Sequence, residues 1–207
     1  MEKYQLKNLY YYYVGKHFYK MYNLKPKVFG IGLNRTGSSS LGRFFEMLGY
    51  KHSFECYGAE KLKIFLNDKA ALKKEMDKFE MHEDWPTAQV YKLLAEYYPD
   101  AKFILTLRDT PEQWFNSLLN TSGQEAAPFN KTKELIYGYG VITEAQREEL
   151  IGVYENHIKE VTEFFSNTPE RLLILKTSDK NKNDKICDFL NISRVNFDFP
   201  HSQKRSY

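Results

Sequence analysis

From residue 27 onward, short unbroken apolar runs alternate with stretches whose apolar residues recur at three- and four-residue intervals. The runs Lys27–Gly32, Lys102–Leu107 and Arg171–Leu175 are rich in Val, Ile, Leu and Phe and are short, which predicts buried β-strands. Lys51–Phe54 predicts a further short strand. Between them, Leu41, Phe44, Phe45 and Leu48 fall at i, i+3, i+4 and i+7 and predict a helix over 38–48. A charged stretch over 59–79 predicts helix, and Val90, Leu93, Leu94 and Tyr97 mark one face of another after Pro86. Thr110-Pro-Glu-Gln113 supplies an N-cap, a proline at N1 and a glutamine at N3, opening a helix that buries Trp114, Phe115, Leu118 and Leu119. Thr143–Gln146 is a second capping box, ahead of a long stripe formed by Leu150, Val153, Tyr154, His157, Ile158, Val161, Phe164 and Phe165. A last helix is predicted over 179–190.

Strand–helix alternation of this kind predicts an α/β fold: three αβα layers around a central parallel sheet, with the site at the carboxyl ends of the strands. Residues 120–142, with Gly123, Gly138 and Gly140, interrupt the alternation and read as a loop or lid. The chain of 207 residues suits a single domain over 27–207, preceded by a lead-in over 1–26. Through Lys27 that lead-in carries lysines 3, 7, 16, 20, 25 and 27 against the single acid Glu2, with tyrosines at 4, 10, 11, 12, 13, 19 and 22. It reads as a helix laying its tyrosines on the sheet's flank, or as an interfacial helix on an anionic surface.

A net charge of +3 is too small for a nucleic-acid-binding protein. The two cysteines, Cys56 and Cys187, have neither metal-site nor disulfide-framework spacing. With no apolar run of membrane-spanning length and no signal-peptide core, the expectation is a soluble, cytoplasmic protein.

The first strand runs into Gly32-Leu-Asn-Arg-Thr-Gly37-Ser38-Ser39, and a helix follows. A strand, a small-residue turn and a helix N-terminus together present backbone N–H groups to a phosphate. The Gly32-to-Gly37 spacing matches the nucleotide-binding pattern GxxxxGK[ST], except that the lysine position holds Ser38 and the loop's cation is Arg35.

Phe29–Leu41 resembles the 5′-phosphosulfate-binding loop of P-loop sulfotransferases, and Tyr98–Ser117 resembles that superfamily's 3′-phosphate segment, a strand, an Arg and a Ser on the next helix. Asp84-Trp-Pro86 and Phe199-Pro-His201 are similar to a subgroup of short, single-domain members, and Asn34 departs from the proline or lysine common there. The resemblance covers about residues 27–201 and implies a P-loop NTPase-like sulfotransferase fold. It implies transfer of a sulfuryl group from 3′-phosphoadenosine 5′-phosphosulfate (PAPS) to a hydroxyl or amine, leaving 3′-phosphoadenosine 5′-phosphate (PAP), with no metal required.

On that resemblance Asn34, Arg35, Thr36, Gly37, Ser38 and Ser39 hold the 5′-phosphosulfate, and Arg35 also compensates charge on the transferring group. Arg108 and Ser117 suit the 3′-phosphate, and Lys204 and Arg205 are candidates to complete that site. Glu55 is the first candidate for the general base, with His52 and Asp84 as rivals and His82 and Glu83 as outsiders. The competing role for Asp84 is capping the helix after Pro86, for Arg108 an ion pair with Asp109 or Glu112, and for His157 a core histidine. Tyr57, Trp85, Tyr137 and Tyr139 are candidate walls of an acceptor pocket, for a small molecule or a glycan. Two other readings stay open: a non-catalytic nucleotide-binding scaffold, and a P-loop small-molecule kinase.

Overall fold

Phe29, Phe103 and Leu105 are fully buried in one apolar cluster, while Val28 and Ile104, their neighbours along the chain, are fully buried in another. Successive side chains of a strand point to opposite faces, so two separate clusters mean a sheet covered on both sides. The computed structural model describes residues 25–53, 57–122 and 127–201, and among these it shows a four-stranded parallel sheet flanked by helices. The strands are β1 (Val28–Gly30), β2 (Met81–His82), β3 (Lys102–Leu107) and β4 (Leu172–Lys176), in the order β2-β1-β3-β4. Val28 pairs with Met81 on one side and Lys102 on the other, and Leu107 pairs with Lys176.

The helices are α1 (Ser38–Met47), α2 (Ala59–Asn67), α3 (Lys69–Met76), α4 (Thr87–Tyr97), α5 (Pro111–Leu119), α6 (Ala127–Tyr137), α7 (Arg147–Phe164) and α8 (Lys182–Leu190). α1 and α8 cover one face, where Leu41, Phe44, Phe45 and Leu48 meet Leu175, Ile186 and Leu190. The other face carries Tyr91 and Leu94 of α4, Trp114 and Phe115 of α5, and Tyr154 and Val161 of α7.

Most predicted elements form within a residue or two of their expected limits, and three differ in kind. The predicted strand over 51–54 is a single parallel bridge, His52 to Met81. The predicted helix over 59–79 is two helices, because the Asp68 carboxylate accepts the Ala70 and Ala71 N–H groups and starts α3 afresh. The predicted loop over 120–142 contains the helix α6. Thr143 with Gln146 forms a full capping box that opens a short 3-10 turn ahead of α7, whereas at α5 only half forms: Thr110 accepts the Gln113 N–H, but the Gln113 side chain accepts the Asp109 N–H instead. The lead-in lies almost wholly outside the described residues, except that Lys25 donates to the Leu48 and Gly49 carbonyls at the end of α1.

Candidate active site

β1 ends at Gly30, and the chain then turns back over the carboxyl ends of β1 and β3. Gly32 makes that turn possible: a Cβ there would lie 2.1 Å from Thr106 Oγ1 and 2.5 Å from the Thr106 carbonyl. Thr36 pins the loop from beneath, its hydroxyl donating to the Leu33 carbonyl at 2.6 Å and meeting Thr106 Oγ1 at 2.7 Å. Asn34 pins it from the side, its carbonyl accepting the Trp114 indole N–H at 2.9 Å and its side-chain oxygen accepting the Tyr137 hydroxyl. Arg35 and Gly37 both adopt positive φ, 68° and 95°. Gly37 is the N-cap of α1 and no side chain caps that helix, whose first turn is serines without an acid. The helix start therefore offers its N–H groups, and the positive end of its dipole, to an anion.

A cavity of about 560 Å³ opens over this loop, lined among others by Arg35, Ser38, Asp84, Arg108, Thr177 and Lys182. Arg108 leaves the end of β3 with its backbone N–H held by the Tyr154 hydroxyl at 2.9 Å. Its guanidinium turns to the loop and to α5, donating from Nε to the Arg35 carbonyl at 2.7 Å and from Nη2 to Ser117 Oγ at 3.2 Å. Asp109, one of the two ion-pair partners weighed for it, accepts the Ser178 hydroxyl instead. Arg35 and Arg108 thus line one cavity and are joined through the Arg35 backbone carbonyl.

Asp84 lines the same cavity in the left-handed region, at φ 67°. Its side chain does not cap α4; Oδ1 accepts the Trp85 N–H at 2.9 Å, and its carbonyl accepts the Thr87 hydroxyl and N–H. Of the three leading base candidates, Asp84 is placed on the cavity wall, and Glu55 lies outside the described residues, as do Lys204 and Arg205. His52 is elsewhere: it is buried behind α1, with Nδ1 2.7 Å from Glu46 Oε1 and its ring against Gly42, where a Cβ would sit 2.4 Å from Cε1. Of the outsiders, His82 is buried with Nε2 2.9 Å from the Met76 carbonyl, and burial pulls its imidazole down to about 4. Burial pushes the Glu83 carboxyl up to about 8, and the charges of Asp84 and Glu46 press the same way against a Ser38 hydrogen bond. His157 is half-buried and bonds to the Ile31 carbonyl at 2.7 Å from Nε2, a core role that burial matches by lowering its pKa.

The aromatic candidates separate in the same manner. Trp85 lines the cavity, whereas Tyr57 is buried against Glu75 and Ser53, Tyr137 is buried against Asn34, and Tyr139 bonds to Glu149. Phe129 of α6 and Phe199 line it as well, with His201 at the mouth. Thr177 and Lys182, which no sequence motif singles out, line the cavity too, and Thr177 lies against the loop, 3.5 Å from where a Cβ on Gly37 would sit. Lys182 donates to the Thr177 and Asp179 carbonyls, and burial lowers its pKa. Position alone could have found Thr177, since it directly follows a strand at the carboxyl edge of a parallel sheet.

Among the described residues no three His, Cys, Asp or Glu side chains converge in a metal-holding group, and no helix is long and apolar enough to cross a membrane. The described residues thus form a parallel α/β sheet with a glycine-containing loop after its first strand and a cavity at the strand ends that carries two arginines. The chain belongs to the sulfotransferase domain family, whose pattern it matches over residues 27–207. No curated protein matches it closely enough to count as a relative.

Proposed function

We propose that the protein transfers a sulfuryl group from PAPS to a hydroxyl or amine held beside Asp84, Trp85 and Phe129. The observation that carries this reading is the link from Arg35 to Arg108 through the Arg35 carbonyl, which sets one cation at the loop and a second beside Ser117. The cavity fits the donor on its own geometry: an uncapped helix start for the 5′-phosphosulfate and the Arg108–Ser117 pair for the 3′-phosphate. Thr177, which lies against Gly37, and Lys182 extend the donor wall beside the loop, a role for which the sequence alone offers Lys204 and Arg205.

Arg35 supplies positive charge to the oxygens of the group in transit, and Ser38 and Ser39 supply hydroxyl donors at the same end. A sulfuryl group carries less negative charge than a phosphoryl group, so these donors suffice where a kinase relies on a loop lysine and Mg²⁺. Asp84 takes the acceptor's proton, since its carboxylate is on the cavity wall and held in place by the Trp85 N–H. The remaining acceleration comes from holding donor and acceptor in line.

The test is calorimetric titration with PAP, ATP and AMP in EDTA, on wild type and Arg108→Ala. The expected result is metal-independent PAP binding, weaker binding of ATP, and a loss of about tenfold or more in PAP affinity for the variant, the scale of one charge-assisted bidentate contact. Failure of PAP to bind while Mg-ATP does would replace this reading with the kinase.

A further inference from the structure

The cavity over the loop carries its charge in an order set by the sheet, β2-β1-β3-β4. Asp84 and Trp85 come just after β2, Arg35 lies on the loop after β1, and Arg108 follows β3. Lys176 ends β4, and Lys182 starts the helix beyond it. The cations therefore belong to β1, β3 and β4. Asp84, at the β2 edge, is the one acid among the described residues that line the cavity.

Beside Asp84 the wall is aromatic. Trp85 is 7% exposed, and the Tyr137 ring of α6 meets it edge-on with centroids 6.2 Å apart. Tyr137 is itself fixed, its hydroxyl donating to Asn34 and its ring packed against Trp114. Phe129, about two turns earlier on the same helix, lines the cavity and is 40% exposed, an apolar ring left open on a cavity whose donor-binding groups are polar. Lys131 and Lys133, between them on α6, are not part of the lining.

We propose that the acceptor is a ring-bearing alcohol or amine without negative charge, selected by Asp84 and Phe129, and that the cavity discriminates against acidic acceptors. The inference rests on the donor reading given above, which fills the cationic part of the cavity with PAPS. An acceptor at the β2 end then stands between a carboxylate and an anionic donor. A negative charge on it is repelled from both sides, while the lining cations are engaged by the donor. A flat apolar ring suits the faces of Phe129 and Trp85. A sugar brings several hydroxyls to a wall that offers them little beyond the Asp84 carboxylate and the Asn34 amide, and each hydroxyl left dry and unpaired counts against it. In the transfer, the acceptor oxygen or nitrogen bonds to sulfur as the sulfur–oxygen bond to the 5′-phosphate breaks. The electron pair of that bond leaves with PAP, and the acceptor's proton passes to Asp84.

The experiment is calorimetric titration of the PAP-saturated full chain at neutral pH with probes that share one ring and differ in charge: tyramine, 4-hydroxyphenylethanol and 4-hydroxyphenylacetate. Methyl glucoside is the sugar probe. The cationic and neutral phenols are expected to bind about tenfold or more tightly than the acid, the scale of one charge–charge contact near a protein surface, and methyl glucoside more weakly than either. Asp84→Asn is expected to bring the acid to within about threefold of 4-hydroxyphenylethanol. Phe129→Ala is expected to weaken every ring compound by about tenfold, the scale of losing one aromatic contact. Equal affinity for the acid and the neutral phenol in wild type, tightest binding by methyl glucoside, or no binding by any ring compound overturns the inference, and the donor reading stands because PAP is bound. A gap that survives Asp84→Asn also overturns it, because the donor's charge then accounts for the gap without Asp84. PAP that fails to bind wild type overturns the donor reading and this inference with it. The wild-type series needs no variant, so it remains decisive if either variant fails to fold.

Discussion

At the scale of single residues, β2 shows how burial settles chemistry. His82 stacks on Phe29 with ring centroids 5.7 Å apart and bonds to the Met76 carbonyl, so it is kept neutral well below the usual imidazole range. Its folded pKa, about 4, lies below the unfolded value of 6.5, so the unfolded chain binds more protons between them. Stability from this group is therefore complete above pH 6.5 and is lost as pH falls towards 4. Chemical denaturation across that range should show wild type losing up to about 3 kcal/mol more than His82→Gln, since each tenfold change in proton affinity is worth about 1.4 kcal/mol. Parallel curves would show that His82 does not titrate there. The loop 34–39 could be read from its spacing after a strand, while Arg108 and Ser117 were marked by the resemblance of their segment. Thr177 and Lys182 were not legible as part of the cavity, because their places come from the sheet order and not from any spacing along the chain.

At the scale of elements, caps decided more than periodicity did. Thr110 takes the Gln113 N–H at 3.2 Å, with Pro111 at N1 fixing the entry to α5, and both features were readable in the sequence. α5 carries Ser117 and Trp114, so this cap also sets the frame in which the Arg108 guanidinium and the Asn34 carbonyl find their partners. Thr110→Ala should cost about 0.5–2 kcal/mol in urea denaturation, the range for loss of a threonine N-cap. The companion expectation is weaker PAP binding from a loosened Ser117; an unchanged stability would show that Pro111 starts the helix unaided. Where sequence and structure part, a short polar side chain or a glycine is responsible. Asp68 cuts one predicted helix in two by capping the second half. Glycines at 138 and 140 make the segment ahead of them look like a loop, yet Tyr137 and Thr132 of α6 are buried. A strand of two residues, β2, offers too few alternating positions to register as a strand at all.

At the scale of the whole molecule, the long helix α7 ties the site together. Tyr154 holds the Arg108 N–H at the end of β3, and one turn on His157 Nε2 meets the Ile31 carbonyl at the end of β1. Trp114 stacks on Tyr154 with centroids 4.7 Å apart, so loop, strand end and helix share one packed unit. The sheet order β2-β1-β3-β4 puts the first strand in the interior and the last at an edge. The cavity walls follow that order, running from Asn34 to His201. In time, this predicts that the site is assembled late. The loop is made early in the chain but lacks Thr177, which lies against Gly37, until β4 docks beside β3 and the Thr177 N–H reaches the Leu107 carbonyl. Pairings this distant along the chain form slowly, because the closing loop must be ordered before the contact rewards it. During refolding, PAP-binding competence should recover with the slowest phase, after most helical signal has returned. Recovery of binding in an earlier phase would show that the loop side alone is enough. On that expectation the site is never displayed half-made, and a nascent or partly unfolded chain should retain no PAP.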